Sequence, residues 1–217
     1  THVVRGKDHL TNTPKQIQIY RALGLPEPRF AHLPLILGLS KRLRSAGIES
    51  YREQGYLPAA VNNYIARLGW SHGDREIFDG DDLVALFDLS DVNRSEGALN
   101  LEKMEWINQQ HIIKASGAKL ARLVAPFLGR LGVAVDARDP RLAAACETVR
   151  QRAKTLVELA EKLRFYFVGD DDFAYDEKAK KKFLKEGARR LLDELADELA
   201  KLDDFGEAAL EAAVERF

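Results

Sequence analysis

Cysteine, methionine and tryptophan are scarce in this sequence, numbering one, one and two among 217 residues. A lone cysteine excludes an internal disulfide, and Cys146, set in Leu142-Ala143-Ala144-Ala145-Cys146, reads as a buried helical thiol rather than a nucleophile. No apolar run approaches the roughly 18 residues that a membrane-spanning helix needs. The N-terminus also lacks the basic, apolar, small-residue order of a secretion signal. His72 and His111 have no partner at metal-ligand spacing, so no zinc is expected. An excess of charge is missing as well: 33 Lys and Arg against 34 Asp and Glu leave a net charge of -1. Any binding of a polyanion must therefore come from local clusters. A soluble protein with the cytoplasm as its default setting is expected, as are a monomer and no membrane or DNA partner.

What is present is a change of style along the chain. Thr1-His2-Val3-Val4-Arg5-Gly6 is β-prone, Asn12-Thr13-Pro14 supplies capping residues with proline at the first helical turn, and 15–23 should be helical, stopped by Gly24, Pro26 and Pro28. Residues 30–37 are apolar and short enough for one buried strand. From Ser50 the pattern turns helical. Leu57, Val61, Tyr64, Ile65 and Leu68 form a stripe that Gly69 ends, and further helices are expected at 81–87, around 101–107, at 119–128 and at 141–161. Leu156, Leu159, Ala160 and Leu163 follow the helical repeat, and so do Leu191, Leu195 and Leu199. Gly169-Asp170-Asp171-Asp172 reads as a loop without the ligand order of an EF-hand. Basic residues gather at 41–44, 150–154 and 178–185, each of which alone reads as a solvated helix face.

Two stretches carry chemistry. Val3-Val4-Arg5-Gly6-Lys7-Asp8-His9-Leu10-Thr11-Asn12-Thr13-Pro14 is long and specific, whereas Leu39-Ser40-Lys41-Arg42 is short. Together, and in this order, they resemble the signatures of bacterial-type glutamyl-tRNA synthetases, class I aminoacyl-tRNA synthetases. Without the resemblance Arg5 would be an ordinary surface arginine and His9 a polar group near a helix. With it, Arg5 is expected to contact the glutamate carboxylate through paired hydrogen bonds. Asp8 and His9 are expected near the ATP ribose and the terminal adenosine of tRNA, and the backbone of Leu35 and Ile36 beside the adenine. Lys41 is expected to stabilise charge on departing pyrophosphate, with Ser40 adding a hydroxyl donor. The second signature departs from the family form: Gly38 stands where its first lysine would be, and Leu43-Arg44-Ser45 replaces its usual His-Gly-Ala.

Further matches extend the resemblance: Tyr51-Arg52-Glu53-Gln54-Gly55-Tyr56-Leu57-Pro58, Leu68-Gly69-Trp70-Ser71 and 101–110. They imply a small helical domain touching the inside of the tRNA bend, with Trp70 and Trp106 expected in its core. Arg150-Gln151-Arg152-Ala153-Lys154-Thr155-Leu156 is similar to an anticodon-domain motif in which Arg152, with Arg150, would inspect an anticodon base. Equally, Arg152 could cover the apolar edge one turn before Leu156. The implied fold is mostly α: the closing part of an α/β Rossmann-like catalytic domain at 1–38, a signature loop and stem-contact domain at 39–110, and a helical anticodon-binding domain at 111–217. The implied reaction is ATP-dependent joining of glutamate to tRNA through a glutamyl-adenylate, with Mg2+ accompanying ATP. The histidines that complete the family's active site are not among these residues, so the chain alone is expected to be inactive. A non-catalytic tRNA-binding module is the alternative. A queuosine-glutamylating paralogue does not account for 111–217, and the β-barrel anticodon region of a glutaminyl enzyme does not match the helical periodicity.

Overall fold

The computed structural model describes residues 1–37, 47–169, 175–185 and 187–217. Strand β1 (His2–Gly6) pairs in parallel with β2 (Arg29–Leu33), with Arg5 opposite His32. Parallel neighbours need a crossover, which a 3-10 helix (Lys7–Asn12) and α1 (Thr13–Ala22) provide. Pro14 lies in the first turn of α1, where a missing N–H costs nothing, and Gly24 at φ 64° carries the chain away from its end.

The expected capping side chains serve elsewhere. Asn12 makes no side-chain cap and lies instead 3.3 Å from His9 Nδ1, while the Thr13 hydroxyl turns toward Arg5 and His32. The apolar run at 30–37 is two strands rather than one buried strand. Pro34 has no N–H for the ladder, so β2 stops at Leu33, and β3 (Ile36–Leu37) pairs with β4 (Gly97–Ala98). Leu35 and Leu37 are exposed.

The helical pattern that begins at Ser50 runs through two helices, α2 (Gly47–Glu53) and α3 (Pro58–Gly69), and the stripe from Leu57 to Leu68 lies on the second. Gly55, at φ 81°, turns the chain between them. Helix α4 (Gly80–Leu86) opens with a reciprocal Asp79–Asp82 capping box. Asn100 and Ser116 cap α5 (Leu101–Lys114) and α6 (Gly117–Arg130), and Asp139 caps α7 (Pro140–Val149). A 3-10 turn (Arg150–Arg152) continues α7. The expected single helix over 141–161 breaks there, because Ala153 is extended and Thr155 caps a new helix, α8 (Leu156–Leu163). A last 3-10 turn spans Arg164–Tyr166.

The core lies among α3, α5, α6, α7 and α8, filled by Val61, Ile107, Ile112, Leu120, Val124, Leu128, Leu142, Leu159 and Leu163. Large side chains buried to this degree contribute about 1.5–3 kcal/mol each. Cys146 is fully buried among them, and desolvation, with Glu147 adding to it, pushes its thiol up to about 11. Trp70 is buried against Phe78 and Phe87, as expected. Trp106 is not a core residue: it is 37% exposed, with Lys103 Nζ 4.1 Å from its ring centroid.

Residues 1–168 form one compact unit and 169–217 another. The second contains α9 (Glu177–Phe183), α10 (Ala188–Leu199) and α11 (Glu207–Arg216), with α10 against α11. Within α10, Leu195 and Leu199 are half-buried and Leu191 is exposed. Gly169 is non-helical, in keeping with a loop there, and Asp170 to Asp172 lie outside the described residues.

Candidate functional site

Arg5 occupies the middle of the β1–β2 ladder, which fixes its height on the sheet, and the start of α1 closes over it. Its Nη2 donates to Thr13 Oγ1 at 2.7 Å, and Thr13 Oγ1 lies 2.9 Å from His32 Nε2. The Thr13 hydroxyl accepts from arginine and retains its own proton, which goes to His32 Nε2 in the tautomer with hydrogen on Nδ1. The guanidinium also lies over Phe30, 5.4 Å from the ring centroid. Among its donors Nε is the buried one without a hydrogen-bond partner among the described residues. An orphaned donor of this kind costs about 1–3 kcal/mol, and a planar carboxylate is the group best shaped to satisfy it. Sequence reasoning singled out Arg5 but not Thr13 or His32, which the strand register and the start of α1 bring beside it.

Asp8 and His9 follow on the 3-10 helix, both exposed, with His9 Nε2 3.7 Å from Asp8 Oδ2. Leu35 and Ile36 flank the start of β3, where the Leu35 carbonyl is occupied by Gly97 N at 3.2 Å. Ser40 and Lys41 lie outside the described residues. Beside β2 opens a cleft of about 990 Å³ whose lining includes Lys7, Arg29, His32, Asp88 and Arg94. The Ser90 hydroxyl and backbone N–H hold the Asp88 carboxyl below the usual carboxylate range, with Arg29 assisting.

Arg150 and Arg152 sit far along the chain, on the turn between α7 and α8. Three side-chain bonds pin that turn to the helical core: Asn108 Nδ2 to Lys154 O at 2.6 Å, Gln109 Nε2 to Gln151 O at 2.9 Å, and Arg150 Nη1 to Ala115 O at 2.9 Å. Arg150 also pairs with Glu147 at 2.6 Å. Arg152 differs. It is exposed and has no hydrogen bond or ion pair with the described residues. It does not share a helix face with Leu156, since extended Ala153 separates them. Among the described residues no group of three His, Cys, Asp or Glu could hold a metal ion, and no helix is long and apolar enough to cross a membrane.

These two regions coincide with two known domain families. The catalytic domain of class I (E and Q) tRNA synthetases matches residues 1–106, and an anticodon binding domain matches 119–217. The chain is 49% identical over 198 residues to glutamate-tRNA ligase 2 of Halorhodospira halophila, covering 89% of this chain and 41% of that one. It is 45% identical to the glutamate-tRNA ligase of Geobacter sulfurreducens, covering 100% of this chain and 47% of the relative. The chain belongs to the class I glutamyl-tRNA synthetase family. It spans less than half the length of these curated relatives. Among solved structures of the family, a glutamate tRNA ligase from Elizabethkingia meningosepticum in complex with its amino acid superposes with a TM-score of 0.78 at 28% identity, covering 100% of this chain and 47% of that one. A glutamate-tRNA synthetase from Elizabethkingia anophelis gives a TM-score of 0.75 at 29% identity, covering 100% of this chain and 46% of its own. The mostly helical fold with a short parallel β element is thus the fold of this synthetase family over the matched region.

Proposed function

We propose that the protein attaches glutamate to tRNA through a glutamyl-adenylate formed from ATP. The observation that carries this reading is Arg5: a guanidinium anchored by Thr13, with a buried Nε lacking a partner among the described residues, is suited to an amino-acid carboxylate. The relatives named glutamate-tRNA ligase support the choice of glutamate. In this reading Asp8 and His9 attend the ATP ribose and the tRNA 3′ end, and Leu35 and Ile36 border the adenine. Lys41, with Ser40, stabilises the departing pyrophosphate, and Mg2+ accompanies ATP. Arg152 inspects the anticodon, while Arg150 anchors the turn that presents it. The proposed division of labour is 1–38 catalytic, 39–110 stem-contacting and 111–217 anticodon-binding, in a cytoplasmic monomer.

Glutamate-dependent exchange of pyrophosphate into ATP, measured on the full-length protein with tRNA present, tests the proposal. Exchange with glutamate and not with glutamine is the expected result. Tight tRNA binding with no exchange would overturn it in favour of a non-catalytic tRNA-binding module.

A further inference from the structure

Three consecutive aromatic residues close α8, and their burial falls in steps. Phe167 is half-buried and packs against the core. Tyr166, 46% exposed, lies 6.5 Å from it between ring centroids, and Phe165, 51% exposed, lies 4.0 Å from Tyr166 with the planes inclined by 31°. The Phe165 ring has no other aromatic neighbour among the described residues. The series is a ladder of rings rising from the core and ending in an open face.

The ladder is fastened to the helix that carries Arg152. Tyr166 Oη lies 3.2 Å from Thr148 Oγ1, whose own proton goes to Ala145 O at 2.8 Å, so the tyrosine hydroxyl is the donor. Thr148 stands one helical turn before Arg152 in the stretch where α7 passes into its 3-10 turn. Arg152, Lys162 and Arg164 have no ion-pair partner among the described residues; of the nearby carboxylates, Glu158 accepts from Lys154 N at 2.8 Å and Glu161 has no ion pair among those residues. Exposed rings next in sequence to Arg164, and tied through Thr148 to the stretch that leads to Arg152, suit a nucleobase with its phosphate, since stacking accepts any base and the cations take the backbone.

We infer that Phe165 and Tyr166 form a stacking platform for an unstacked base of the bound tRNA, beside the base that Arg152 inspects. This rests on the proposed tRNA-binding function and adds residues to it. Binding of a tRNA-glutamate anticodon stem-loop to the full chain, followed by fluorescence anisotropy over a salt series, tests it. Phe165→Ala and Tyr166→Ala should each weaken binding roughly 5- to 100-fold, whereas Phe165→Trp and Tyr166→Phe should stay within about threefold of wild type. The salt slope should be unchanged by the aromatic variants and reduced by Arg164→Gln, because stacking releases no counterions. Circular dichroism melting should be unaltered by Phe165→Ala, and lowered by Tyr166→Phe and Tyr166→Ala by no more than the loss of the Thr148 bond and its ring contacts implies, so that Tyr166→Phe controls for stability. Wild-type binding with no loss in the two alanine variants would overturn the platform while leaving the tRNA-binding reading intact. No stem-loop or tRNA binding by the wild type would overturn both. A change in self-association without a change in RNA affinity would assign the rings to a protein contact and overturn the inference.

Discussion

Gly55 O accepts a hydrogen bond from Leu156 N at 2.9 Å, joining the turn between α2 and α3 to the first residue of α8. Gly55 is at φ 81°, and a Cβ there would lie 2.8 Å from both Leu156 N and Val157 N. Gly55→Ala should therefore cost the left-handed penalty of about 1–2 kcal/mol together with overpacking of about 1–3 kcal/mol. Gly24 supplies the control: it has a similar φ of 64°, and an added Cβ would meet nothing within 4 Å among the described residues, so Gly24→Ala should show the conformational cost alone. Denaturant melts of both variants compare the two. Equal losses would show that the approach of Leu156 is not what holds Gly55.

His111 is expected to make stability depend on pH. Its ring is buried, with Nε2 3.0 Å from Asn63 Oδ1, an oxygen that already accepts from Phe78 N at 3.0 Å. Burial lowers its pKa, Lys114 and Lys119 push the same way, and Asp79 opposes them. The folded protein thus binds this proton less readily than the unfolded chain. The stabilisation is complete above the unfolded value of about 6.5 and is lost as pH falls below it toward the lowered folded value. The melting temperature should fall between pH 7.5 and 5.5, and His111→Gln should flatten that fall. An identical pH slope in the variant would remove His111 as its source.

Much of this architecture was legible because local chemistry and tertiary packing agree. Pro14 and Gly24 bound α1 as read, and the stripes on α3 and α8 fill the core. The misreadings share one cause: a single residue ended an element inside a continuous apolar or helical pattern. Pro34 ended β2, Gly55 interrupted the helical pattern that begins at Ser50, and Ala153 with the Thr155 cap divided the helix expected over 141–161. Trp106 was misjudged because apolar area suggested the core, whereas Lys103 covers part of its ring at the surface. Within the site, Arg5 was legible as a motif residue. Thr13 and His32 were not, since only strand pairing sets His32 opposite Arg5.

Arg5→Lys keeps the charge but loses the planar fork and the Nε donor. Charge-assisted hydrogen bonds of about 1.5–3 kcal/mol are at stake, so kcat/KM for glutamate in the exchange reaction should fall roughly 10- to 100-fold. Thr13→Val removes only the anchor at Nη2 and should cost less, with Thr13→Ser restoring activity. A KM for glutamate within twofold of wild type in Arg5→Lys would detach Arg5 from the carboxylate.

Lys41 and Arg152 are assigned to different steps, which makes them separable in one experiment on the full-length enzyme. An ammonium that meets charge developing on pyrophosphate acts in the transition state, so Lys41→Ala should lower kcat for exchange by about 10²–10³-fold while tRNA affinity stays near wild type. Arg152 carries no hydrogen bond or ion pair among the described residues to lose, so Arg152→Gln should leave folding and tRNA-independent partial steps unchanged. A forked contact to one base is worth about 1–3 kcal/mol, and the ratio of charging rates for the cognate anticodon over single-base variants should drop accordingly, roughly 5- to 100-fold. If the Arg152 variant instead charges every anticodon variant in the same ratios as wild type, its exposed guanidinium serves general phosphate attraction. A salt slope reduced equally for all tRNAs would then be observed in place of lost discrimination.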